Sequence, residues 1–110
     1  MNESTAVSEP LYSSLGSDKD LGKIVELFVA EMPRRMATVL EQLDSSDWEG
    51  LRRTAHQLKG AAGSYGFDAI SPSAARVEEA VRDDQPEQRI RETVDELIGL
   101  CSRVTGGAPQ

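Results

Sequence analysis

A chain of 110 residues is the size of one domain and long enough to bury a single core. Twelve basic residues stand against 19 acidic ones, a net charge of −7. Binding to a phosphate backbone needs a basic excess, so duplex nucleic acid is excluded as a main partner and an anionic membrane surface is disfavoured. The single cysteine, Cys101, makes no internal disulfide and fits no zinc-ligand spacing. "MNESTAVSEP" lacks the basic start and apolar run of a signal peptide, and no apolar run is long enough to span a bilayer. The expectation is a soluble cytoplasmic protein. With aromatics at 5% and Ala, Leu, Val, Glu and Arg frequent, its composition is that of a helical protein with a small-residue core.

Residues 1–17 are serine-rich, with Pro10 and Gly16, and read as a partly ordered lead-in from which Leu11 and Tyr12 could pack onto the body. Helical period begins at Asp18: Leu21, Ile24, Val25 and Phe28 fall at i, i+3, i+4 and i+7. Pro33 interrupts this run, and proline is tolerated in a first helical turn but not in an interior. The expectation is a first helix ending near Met32 and a second beginning there, with Met36, Val39, Leu40 and Leu43 buried and Arg34 and Arg35 as its solvated start. The arginine pair could also help to recruit an acidic partner.

At "DSSD", residues 44–47, Ser46 with Glu49 forms a candidate capping box, and Asp47 is the alternative cap. The third helix carries Trp48, Leu51, Ala55, Leu58, Ala62 and Tyr65 on one side, and Gly66 is placed to end it as a left-handed cap. A fourth starts at Asp68 or Ser71, with Pro72 near its first turn, and shows Ile70, Ala74, Val77 and Val81. Pro86 opens the last helix, which presents Ile90, Val94, Leu97, Cys101 and Val104, so Cys101 reads as a small core residue. Residues 105–110 read as a flexible tail. Short turns leave consecutive helices antiparallel. The expected fold is all-α, an up-down antiparallel four-helix bundle with an additional N-terminal helix, spanning residues 18–104.

The only histidine, His56, lies on the third helix. At 100° per residue it falls roughly 140° from the apolar stripe and faces water. Glu49, Arg52, Gly60 and Gly63 share its face, with Lys59 on the flank. An interior glycine costs about 1 kcal/mol relative to alanine. Two of them on a solvent face suggest a surface cleared for a closely approaching partner, and Lys59 supplies a cation for an anion at the imidazole.

These residues carry a family resemblance. "AHQLKGAAGSYGF" resembles the signature of histidine-containing phosphotransfer (HPt) domains, with Ala55, His56, Leu58, Lys59, Gly60, Ala61, Ala62 and Gly66 in register. The preceding "ELFVAEMPRRMATVLEQLDSSDWEGLRRTAHQLKG" is similar to that family's succession of apolar helix, proline, second helix, acidic turn and histidine helix.

The resemblance implies a phosphorelay carrier. His56 would accept a phosphoryl group from a receiver aspartate or a histidine kinase, through the ring nitrogen farther from the backbone, and pass it to a receiver domain. Lys59 would stabilise phosphoryl oxygens, with Gln57 as a further contact. Gly60, with Gly63 and Arg52, would form the docking face. Ala61 and Ala62 stand where serines are often found in the family, so no hydroxyl is offered to the imidazole there.

The chain has no phosphate-binding loop and no evident carboxylate cluster for a metal, so it is expected to bind no cofactor and to act without a nucleotide site of its own. Magnesium would come with the partner receiver. The carrier is expected to be monomeric.

Three other readings compete. A di-metal bundle would need inward Glu-x-x-His pairs, and the residue three before His56 is Arg53. A non-catalytic adaptor would have no use for His56 with Lys59. "GAAGSYGF" also resembles the phosphotransfer domain of chemotaxis-type kinases, but the length and Met1 favour a stand-alone carrier over a fragment.

Overall fold

The computed structural model describes residues 9–105. Four helices make up its body: α1 (Gly22–Asp44), α2 (Trp48–Ser64), α3 (Ile70–Arg82) and α4 (Glu87–Cys101). Each packs on the next and α4 returns to α1, closing a four-membered ring around one core. Two-residue strands β1 (Leu11–Tyr12) and β2 (Val104–Thr105) pair in parallel, Leu11 opposite Val104.

The expected break at Pro33 is absent, and with it the additional N-terminal helix. Both expected segments are one helix, α1, with Pro33 inside it. The reason lies in the phase of the buried residues. Val25, Phe28, Met32, Met36, Val39 and Leu43 continue as one stripe through the proline. An interior proline costs about 3 kcal/mol, whereas each large apolar side chain contributes about 1.5–3 kcal/mol on burial. A single stripe also has a different centre from two separate ones. Leu21, Ile24 and Leu40, expected inside, are 37%, 41% and 41% exposed. Arg35, expected to be solvated, instead lies over the Phe28 ring at 5.3 Å and pairs with Glu31.

The turns are built alike. After α1 the Asp47 amide donates to the Gln42 carbonyl and the Ser46 amide to Leu43; after α2 the Phe67 amide donates to Ala62 and Gly66 to Gly63; after α3 the Gln85 amide donates to Ala80 and Asp84 to Val81. This is the Schellman pattern, which needs a left-handed residue at its centre. Gly66 supplies it at φ 82, as its position predicts, whereas Ser46 (φ 59) and Asp84 (φ 52) supply it at steric cost. Ser46 is therefore engaged in ending α1, and the cap of α2 falls to Asp47, whose Oδ1 accepts from the Gly50 amide at 3.0 Å.

The last helix stops at Cys101, and Val104 joins β2 instead of extending the stripe. Cys101 lies in the core, where burial pushes its thiol up to about 12. The lead-in is held down from Glu9 onward. The Leu11 amide donates to the Arg103 carbonyl, the Ser14 amide to the Gly66 carbonyl, and the Ser13 hydroxyl to the Tyr65 carbonyl. Residues 1–8 of the lead-in and 106–110 of the tail lie outside the described residues.

Candidate functional site

Helix α2 turns Leu51, Ala55, Leu58 and Ala62 inward, each 1% exposed or less. His56, out of phase with that stripe, leaves 61% of its side chain exposed on the outer surface beside α3. Its Nδ1 lies 2.8 Å from Oε2 of Glu78, and the other oxygen, Oε1, lies 2.9 Å from Nζ of Lys59. Glu78 comes from α3, 22 residues along the chain, and its side chain is only 11% exposed.

A carboxylate can only accept, so in the neutral ring the hydrogen sits on Nδ1 and Nε2 carries the lone pair. Among the described residues no hydrogen bond engages Nε2. One contact thus fixes the tautomer and the direction of the ring. The Lys59 hydrogen bond is the largest influence on Glu78, and with the His56 hydrogen bond it holds the carboxyl below its ordinary value, against the upward effect of desolvation. The carboxylate stays charged, and it faces the imidazole as a fixed anion.

Arg52 lies one turn before His56 and forks onto Glu49, Nη2 to Oε2 at 2.6 Å and Nε to Oε1 at 3.3 Å. Gln57 is exposed, and no hydrogen bond engages its side chain among the described residues. The two glycines divide. A Cβ on Gly60 would meet nothing within 4 Å, so the surface beside the imidazole is open there. A Cβ on Gly63 would lie 3.3 Å from Oγ of Ser71, so this glycine admits α3 close to α2. The expectation that both glycines clear a surface for a partner is corrected for Gly63, which clears it for α3. Ala62 lies in the core, and its position could not have offered a hydroxyl to the ring.

The structure therefore brings His56 and Lys59 together through a residue that sequence reading passed over. A partial signal existed. Relative to the stripe Ile70, Ala74, Val77 and Val81, helical phase puts Glu78 roughly 70° off and Glu79 roughly 170° off. An acidic residue at the edge of a stripe invites a search for its partner, but nothing in α3 names a partner on α2. Among the described residues no group of three or more His, Cys, Asp or Glu side chains could hold a metal ion, and no helix is long and apolar enough to cross a membrane.

The arrangement is an outward imidazole with an open ring nitrogen, a largely buried anion behind it and a cation at its side. Comparison with known proteins bears on this. The phosphorelay protein LuxU of Vibrio harveyi is 27% identical over 92 residues, which cover 84% of this chain and 79% of LuxU. No solved structure matches the chain. The family model for the Hpt domain matches residues 23–106. That span runs from the start of α1 through β2 and takes in His56, Lys59 and Glu78 together, so the chain belongs to the Hpt domain family.

Proposed function

We propose that this chain is a histidine phosphotransfer protein of a two-component phosphorelay, with His56 as the group that carries the phosphoryl. The observation that carries the reading is the Glu78–Nδ1 contact at 2.8 Å, which leaves Nε2 as an exposed nucleophile. The Nε2 lone pair attacks the phosphorus of a receiver's aspartyl phosphate. The N–P bond forms as the acyl O–P bond breaks, and the aspartate leaves as carboxylate. The ring becomes cationic while its hydrogen stays on Nδ1, donated to the Glu78 carboxylate, whose negative charge opposes the new positive one at short range. The reverse sequence loads the next receiver. A phosphorylated histidine kinase is the other source of the group.

Lys59 stands next to this path and meets the incoming phosphoryl oxygens, and Gly60 leaves room for the receiver's active site. The receiver brings the acceptor aspartate and its magnesium, and this chain provides the positioned imidazole and a docking face without a nucleotide site. It works as a cytoplasmic monomer. The test is incubation with a phosphorylated receiver, comparing wild type with His56→Gln. Acid-labile, base-stable label is expected on the wild type alone, and equal labelling of both would remove His56 from the role.

A further inference from the structure

The Ser71 hydroxyl donates to the Lys59 carbonyl at 2.5 Å, joining the first turn of α3 to the middle of α2. Other hydroxyls in the helices or at their C-caps stay local: Thr38 bonds the Arg34 carbonyl, Thr93 that of Ile90, Ser45 that of Glu41 and Ser102 that of Gly99. Ser71 instead spans 12 residues to a different helix. It lies seven residues before Glu78, hence on the same face of α3 two turns earlier, a rise of about 10 Å. Helices α2 and α3 run in opposite directions, and a helical side chain leans toward its own N-terminus. Lys59 therefore extends along α3 from the level of Ser71 to that of Glu78. Its carbonyl is held at one end and its ammonium at the other. Gly63 makes the first contact possible, because its bare Cα lets the hydroxyl reach the α2 backbone.

We propose that Ser71 is a positioning residue for phosphoryl transfer, fixing where along α2 the Lys59 ammonium stands relative to Nε2 of His56. This role rests on His56 being the phosphoryl acceptor. Glu78 alone leaves the lysine tethered only at its flexible tip. The Ser71 bond ties its backbone to the same helix that carries Glu78, so His56, Lys59 and Glu78 move as one unit.

The experiment is a double-mutant cycle on the full chain, using Ser71→Ala, Lys59→Ala and both together, with Ser71→Thr as the conservative variant. Transfer from a phosphorylated receiver is expected to slow about fivefold in Ser71→Ala, the scale of one hydrogen bond. Receiver affinity should be unchanged, Ser71→Thr should restore the rate, and Ser71→Ala should add nothing once Lys59 is gone. An equal slowing with and without Lys59 would reduce Ser71 to a general packing contact and overturn the proposal.

Titration of the Glu78 carboxyl carbon by NMR needs no phosphorylation. Loosening Lys59 should move the Glu78 titration upward in Ser71→Ala, and an unmoved titration would also overturn the proposal. Absence of label on wild-type His56 would instead defeat the acceptor reading, leaving the titration to decide whether Ser71 positions Lys59.

Discussion

Replacing Glu78 with glutamine keeps the shape behind His56 and removes its charge. In the wild type the carboxylate receives Nδ1–H at 2.8 Å while buried to 11% exposure. A hydrogen bond to a charged group contributes about 1.5–3 kcal/mol and a neutral one about 0.5–1.5 kcal/mol. On the proposed reaction the difference, about 1–1.5 kcal/mol, applies when the ring turns cationic as the N–P bond forms. The bare Coulomb term for unit charges 4 Å apart would reach about 4 kcal/mol at an effective dielectric of 20, but the imidazole is 61% exposed and water screens it. The expectation is a five- to tenfold slower transfer, about 1–1.4 kcal/mol. Rapid-quench transfer from a phosphorylated receiver, at saturating receiver, measures it. A rate within twofold of wild type would refute the argument that the anion behind Nδ1 assists the reaction.

Glu78 also makes an acid-side prediction. Its folded carboxyl titrates below the ordinary 4.5, chiefly through the Lys59 hydrogen bond and then that of His56. The stability it contributes is therefore present above that value and lost as pH falls through the lowered one. Thermal unfolding should show wild type and Glu78→Gln converging below about pH 4.5, and a constant gap would contradict this. Pro33→Ala should stabilise the chain by about 1–2 kcal/mol in urea unfolding, since it restores a helical hydrogen bond inside α1. No gain would mean that α1 has already accommodated the proline at no cost. Gly60→Leu should keep its stability and lose receiver transfer, whereas Gly63→Leu should lose stability because its Cβ lies 3.3 Å from Ser71 Oγ. Equal behaviour of the two would refute the division of the glycines.

How far the chain could be read in advance depended on whether a feature was local. The outward direction of His56 follows from one helix's phase, and the end of α2 at Gly66 follows from one residue's conformational freedom. Pro33 misled because a local cost of one missing hydrogen bond was weighed without the six buried side chains that continue through it. Ser46 misled differently. Its type suits a helix start, yet it closes the preceding helix with φ 59, and Asp47 next to it does the capping. Glu78 and Ser71 were not legible as site residues, because each acts across the α2–α3 boundary on a group far away in sequence. A helix's own pattern says which side faces out and does not say what stands opposite.

The paired strands at residues 11–12 and 104–105 close a loop of nearly the whole chain. Contacts of such long separation gain least until the rest is in place, and so short a ladder has little to resist opening. Native-state hydrogen exchange should therefore find this clasp the earliest to let go, while the amides of α2 and α3 remain protected. The His56 imidazole belongs to the interior part of that order, since its Nδ1 contact joins α2 to α3. Opening of the clasp is expected to stay a local event that leaves the geometry around His56 in place.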